Sequence, residues 1–323
     1  MNRTFKFLGK VFTLYMAVAY IVIAIICLAI IAFMAADSYY NYFTYSKLGQ
    51  DVSGAIVVSD GLGNILYLTI ADGHIKKKKL IVKKGYTGFG CPCLYKGNTS
   101  ILLEATNDFA FKSNLYSYNI ADNKIDKVLT LKSNISMPSV SNNNLMYAVY
   151  SSSNNDWDDI NGFYDIYKFR CDTPEISIHV TSMPSRISWC PNDSVVYFPL
   201  YVEKKTYIAK YYLYQGRMDT LIRGDNPALS HDGKRIAYIE QNKIKTCDTL
   251  GQNIKEIVGG HLFVKPFEGT SIAWSPNNKY LIFCGVTIAG RLIPTVNIYL
   301  VPVAKKNNLT PICYSVMSDL DWK

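Results

Sequence analysis

Histidine is scarce in this 323-residue chain, with four copies at His74, His179, His231 and His261. None stands in an H-x-H or H-E-x-x-H arrangement or in a His/carboxylate cluster, so the signatures of a zinc hydrolase are missing. There is no G-x-S-x-G, which excludes the strand-to-helix elbow that presents a serine nucleophile. C-x-x-C is absent as well. The eight cysteines are irregularly spaced, and removing Cys27, which lies in an apolar run, leaves an odd seven: Cys91, Cys93, Cys171, Cys190, Cys247, Cys284 and Cys313. That is no disulfide framework. Most sit in strand-like apolar stretches where a thiol packs as a small hydrophobe, although one or two disulfides stay open in an oxidising compartment. Cys91 and Cys93 would share one face of a strand, but no ligand partner follows at metal spacing. Neither cofactor nor metal is expected.

Acidic residues are absent before Asp37, and no charge of either sign lies between Val11 and Ala36. Of 34 Lys and Arg, three (Arg3, Lys6, Lys10) precede residue 11, so 31 remain against 25 Asp and Glu. An excess of six is far short of a nucleic-acid footprint.

Within the charge-free segment, "VFTLYMAVAYIVIAIICLAIIAFMAA", twenty-six residues would span about 39 Å as a helix, against about 30 Å of hydrocarbon. A cleaved signal has a shorter apolar region and a small-x-small site, whereas here Phe33 or Met34 falls at the −3 position. Residues 11–36 therefore read as a retained transmembrane signal-anchor, with 1–10 cytoplasmic by the positive-inside rule and everything after Ala36 translocated. The protein is expected at a membrane with its bulk extracytoplasmic, periplasmic in a bacterium. Residues 37–50 carry Tyr39, Tyr40, Tyr42, Phe43 and Tyr45, which suits an interfacial stalk or, alternatively, a first strand.

What fills residues 51–323 is repetition. "PCLYKGNTSILL", "PSVSNNNLMYAV", "ISWCPNDSVVYF", "PALSHDGKRIAYI" and "IAWSPNNKYLIF" are each a short apolar strand, a tight Asp/Asn/Gly/Pro turn and a second apolar strand. The residue before each turn (Tyr95, Ser141, Cys190, Ser230, Ser275) serves as an anchor, and the anchors recur at intervals of 46, 49, 40 and 45 residues. Another 48 residues lead to Lys323, aligning "LDWK" with "IAWS". The outer segments, such as "NLYSYNIADNKIDKVLTL" and "NIYLVPVAKKNNLTPICY", add two further strands per unit. Four strands per 40–49 residues is propeller-blade spacing, and the split unit makes six blades. The all-β expectation is a six-bladed β-propeller of four-stranded blades, closed by pairing its first and last strands, with Trp322 in the sheet of Ile56. A β-sandwich would not require this constant period.

The phrase Trp274-Ser275-Pro276-Asn277-Asn278-Lys279, with Ser230-His231-Asp232-Gly233-Lys234, resembles the WSPDGK repeat of TolB-like (WD40-like, PD40) propellers. The likeness covers residues 51–323 and implies the fold; the α/β domain preceding the propeller in TolB lies outside it, and the first three copies lack the Asp-Gly pair. It does not by itself imply TolB's role.

Candidate sites are few. "NNDWDDINGFYD" offers Asp156, Asp158, Asp159, Asn161 and Asp165 as oxygen ligands, but Ile160 and the late Gly162 break the calcium-loop spacing. A solvated loop between the second and third strands of its blade fits better, with Trp157, Asp158 and Asp159 as candidate partner contacts. Lys76–Lys79 reads as a solvated guard on an outer strand. With no catalytic set assembled, the expected function is a non-catalytic, membrane-anchored protein-binding scaffold or assembly module. The alternatives are a small-molecule or glycan sensor using the central channel, or a hydrolase or lactonase needing several channel carboxylates, where the inner strands offer Ser, Cys and apolar residues instead.

Overall fold

The structure, a computed structural model, describes residues 15–16, 18–29, 48–59, 64–81, 88–106, 113–130, 135–152, 161–182, 184–260, 264–266, 271–287, 296–315 and 319–323. Two compact units divide the chain, Met1–Tyr45 and Ser46–Lys323. In the first, residues 15–16 and 18–29 are helical with large apolar side chains facing outward, among them Tyr20, Ile23 and Leu28. No helix among the described residues is long and apolar enough to cross a membrane. The rest of the expected 11–36 span and residues 37–47 of the stalk lie outside the described residues.

In the second unit the described residues form 25 strands in six antiparallel sheets. Blade one contains β25 (Leu320–Trp322), β1 (Gly54–Ser59), β2 (Ile65–Ala71) and β3 (His74–Ile81), in that order from inside to outside. Blades two to five follow in chain order across 88–130, 135–181, 188–223 and 225–258. In blade six the innermost strand is broken into β20 (Val264–Pro266) and β21 (Ile272–Trp274), both paired with β22 (Tyr280–Thr287). Innermost strands touch around a ring in which β21 meets β25 and β25 meets the first strand of blade two.

The ring closes as the repeat requires. Ile56 pairs with Trp322, Val57 with Asp321 and Val58 with Leu320, and Ala55 and Lys323 exchange backbone hydrogen bonds of 2.7 and 3.0 Å. Closure gives β1 a partner on the side that would otherwise be the bare inner edge of blade one. The apolar core is six wedges, one between each pair of neighbouring blades. The wedge of blades six and one, for example, holds Ile56, Leu68, Ile282, Ile298, Leu320 and Trp322. Leu48 and Val52 belong to that wedge too, so packing begins ahead of residue 51.

The hairpin turns show why the repeat has its spelling. Ser141, Ser230 and Ser275 each donate from Oγ to a side-chain oxygen two residues on (Asn143, Asp232, Asn277; 2.8, 2.6 and 2.7 Å). Each Oγ also accepts the N–H five residues on, at 3.0, 2.9 and 2.9 Å. In blade four, Cys190 uses its sulfur the same way with Asn192 and Val195. Three residues after the anchor φ is positive throughout: Asn98 (66°), Asn144 (59°), Asp193 (53°), Gly233 (71°) and Asn278 (57°). Asn, Asp and Gly tolerate that conformation best. In three of these positions the side chain also ties blades together. Asn144 Oδ1 accepts the Lys96 N–H at 2.9 Å, Asp193 Oδ1 that of Asn142 at 2.8 Å, and Asn278 Oδ1 that of His231 at 2.7 Å. Gly233 breaks the series because the residue opposite it is Pro191, which has no N–H to offer. A Cβ at 233 would lie 2.8 Å from the Pro191 ring.

Cys91, Cys93, Cys190, Cys247 and Cys284 are buried, as core packing predicts, whereas Cys171 is exposed.

Candidate functional site

Residues lying two and four positions before each anchor recur on, or just ahead of, the innermost strand of every blade. The inner set is Asp321, Cys93, Ser139, Ser188, Ala228 and Ala273; the outer set is Asp319, Cys91, Met137, Arg186, Asn226 and Ser271. A cavity of about 110 Å³ is lined by the whole inner set and by Arg186, Asn226 and Ser271 of the outer one.

Bulges open this lining. Cys91, Met137 and Asn226 have φ of 49°, 57° and 49°, each directly before a proline and each where the strand register slips. Pre-proline residues avoid the right-handed helical region, and a left-handed residue inside a strand stores strain of a kind found at functional sites. The result is to aim backbone carbonyls such as that of Pro92 toward the axis.

Arg186, just ahead of the first strand of blade four, bridges the channel. Its Nη1 donates to the Leu320 carbonyl of blade one at 2.9 Å, and its Nη2 to the Pro92 carbonyl of blade two at 2.7 Å. Burial disfavours its charge, but Cys93, Asp321 and Asp319 outweigh that and leave its pKa above the usual value. Asp321 Oδ2 accepts the Leu94 N–H at 2.8 Å and Oδ1 the N–H of Trp322 at 3.0 Å. Asp319 accepts the Cys91 thiol and the Ser271 hydroxyl, both at 3.3 Å. Ser185 donates to Asn226 Oδ1 at 2.9 Å. Among the described residues Arg186 Nε and Asn226 Nδ2 are buried without a hydrogen-bond partner. Burial raises the Cys91 thiol well above the usual range, helped by Asp319 and Glu104, and raises Cys93 to about 11, helped by Asp321. Both thiols therefore stay protonated and are poor nucleophiles.

The channel departs from the expectation of Ser, Cys and apolar residues alone: it is lined by Arg186, Asn226 and Asp321, with Asp319 bonded to the lining residue Ser271. These were obscured because Arg186 and Asn226 lie ahead of the quoted repeat phrases, where only counting back from the anchor finds them. Among the described residues no three His, Cys, Asp or Glu side chains gather into a metal-holding group.

Trp157, Asp158 and Asp159 lie outside the described residues, in the connection between Met146–Ser152 and Asn161–Lys168. Of the other oxygen candidates, Asn161 and Asp165 are in the strand itself, where Asp165 accepts the hydroxyls of Ser151 and Ser177 at 2.9 and 2.6 Å. The histidines do not converge. His74 is on β3, His179 packs on Phe163 with ring centroids 5.0 Å apart, and His231 sits in a turn with Nε2 3.2 Å from the Trp274 carbonyl; His261 is outside the described residues. Lys76–Lys79 fall on β3, the outermost strand of blade one, as expected of a guard run.

No protein-family model and no curated protein matches the sequence. Solved structures do. TolB from Acinetobacter baumannii matches with a TM-score of 0.64 at 14% identity, over 90% of this chain and 71% of its own. A protein assigned as TolB in Agrobacterium tumefaciens gives 0.58 at 14%, over 81% and 89%. A chain of a nidogen/laminin complex gives 0.59 at 8%, over 83% and 97%. Identities this low speak to fold alone.

Proposed function

From a TolB-like six-bladed propeller fold as premise, we propose that this chain is a membrane-anchored, extracytoplasmic scaffold that binds a protein partner, without chemistry of its own. The observation that carries the reading is where apolar side chains are left in water. In a four-stranded blade the first and third hairpin turns share one end. Among the described residues of the propeller unit, Leu145, Tyr214, Met218, Leu250 and Ile254 are large, apolar, exposed and located at such turns or next to them, and Val202 alone is at the opposite end. Tyr214 is 79% exposed and Leu250 68%. Apolar and aromatic side chains concentrated on one face are the usual material of a protein contact. With Arg186 across the channel, a large ligand cannot pass through the ring, which leaves the faces for macromolecular contact. One protein that shares the fold is a chain of a nidogen/laminin complex, an assembly between proteins.

Anchoring is supported by the charge-free 11–36 segment and by the outward apolar side chains of its helical part. Affinity purification from detergent-solubilised membranes tests the partner: a stoichiometric protein is recovered with the wild type and lost with Tyr214→Asp/Leu250→Asp. Recovery of no such protein, or equal recovery with the variant, refutes the reading. A mature amino terminus near Asp37 refutes the anchor.

A further inference from the structure

The channel cavity of about 110 Å³ is lined by a guanidinium, a carboxamide and the carboxylate of Asp321, and is far below the roughly 300–1,000 Å³ of drug-sized pockets. Its two groups of polar atoms are complementary in what they lack. On the donor side, Arg186 Nε and Asn226 Nδ2 each keep an N–H with no acceptor among the described residues, and an unmet buried donor is costly. On the acceptor side, Asp321 accepts two neutral hydrogen bonds and takes part in none of the ion pairs found among the described residues. A carboxylate offers about four lone-pair sites, so it retains capacity for a cation.

A bare anion would satisfy the donors but sit beside the Asp321 carboxylate. A bare cation would satisfy Asp321 and leave Arg186 Nε unmet. We propose that the channel is a binding site for a small zwitterion of the class of glycine or alanine, its carboxylate on Arg186 Nε and Asn226 Nδ2 and its ammonium on Asp321. Such a ligand brings no net charge into the ring and meets both deficits together. The crossing side chain of Arg186, held at Leu320 and Pro92, sets the size limit: a large amino-acid side chain has no room beside it. The site goes beyond the scaffold reading and stands or falls separately, since partner recovery depends on an outer face and this site on the inner strands.

The test is calorimetric titration and ligand-dependent melting of the full-length chain in detergent, at fixed ionic strength, with glycine, L-alanine, L-phenylalanine, acetate and methylammonium as separate probes. Glycine and alanine are expected to bind and raise the melting temperature, while acetate and methylammonium bind at least tenfold more weakly and phenylalanine shows no binding. Asn226→Ala should weaken glycine about tenfold, the worth of one hydrogen bond to a charged group. Arg186→Lys, which keeps the positive charge and loses the Nε–H, should weaken it likewise. If either variant fails to fold, the wild-type probe series decides alone. Absence of glycine and alanine binding, or acetate binding as strongly as glycine (an adventitious ion only), overturns the proposal.

Discussion

Removing the last strand is the sharpest challenge to this architecture. Trp322 is 1% exposed and packs among Ile56, Ala273 and Ile282, while its Nε1 donates to the Ser53 carbonyl at 3.2 Å. Trp322→Ala empties that volume in a wedge shared by two blades, and buried aromatic-to-alanine changes cost about 3–5 kcal/mol. The Ser53 hydrogen bond is a smaller part, about 1 kcal/mol, so Trp322→Phe should cost far less than alanine. For the 278 residues of Ser46–Lys323, each kcal/mol moves the melting temperature by about 2 °C, giving a loss of about 6–10 °C for Trp322→Ala. Deleting residues 320–323 goes further. It takes away the three ladder pairs with β1, the Ala55–Lys323 exchange and the buried Leu320. It also strips the channel-side edge of β1, and an unpaired edge invites association. Thermal melting by circular dichroism and light scattering at several concentrations measure both consequences. If the truncated chain melts within a degree of the intact one and stays monodisperse, the ring is not held by this strand and the reasoning fails.

Gly233→Ala should cost about 1–3 kcal/mol, because φ is 71° and the new Cβ meets the Pro191 ring 2.8 Å away; equilibrium denaturation checks it, and a neutral result would refute the blade-four/blade-five contact. Glu256 joins blade five to blade six through Lys306 and also meets Lys243; those partners, Lys306 first, hold its pKa down to about 2. A depressed carboxyl contributes stability above its usual value of 4.5 that is lost as pH falls toward 2, so Glu256→Gln should flatten melting temperature against pH in that window, and superimposable profiles would count against it. Burial holds Cys93 at about 11 and Cys247 at about 12, whereas Cys171 is exposed. Iodoacetamide with peptide mapping should label Cys171 in the native protein and Cys93 and Cys247 only after denaturation; native labelling of Cys93 would contradict the closed channel lining.

Local chemistry repeated along the chain was enough to fix the blades. The strand–turn–strand phrase carries its own hydrogen-bond plan, with a hydroxyl or thiol at the anchor, an oxygen two residues on and a residue tolerant of positive φ three residues on. Constant spacing then converts copies into a ring, and the unpaired phrase at Trp322 announces its partner at Ile56. Both depend on short-range geometry, which is why they are legible without coordinates. The channel is different. Arg186, Pro92 and Leu320 are contributed by three blades and meet only because opposite sides of a closed ring face each other at the axis. The spacing from the anchor marks Arg186 and Asn226 as equivalent positions but not which side chains reach the cavity, and the proline-linked bulge at Asn226 is set by strand register. Side-chain spacing decided the fold, whereas distance across the ring decided what the fold encloses.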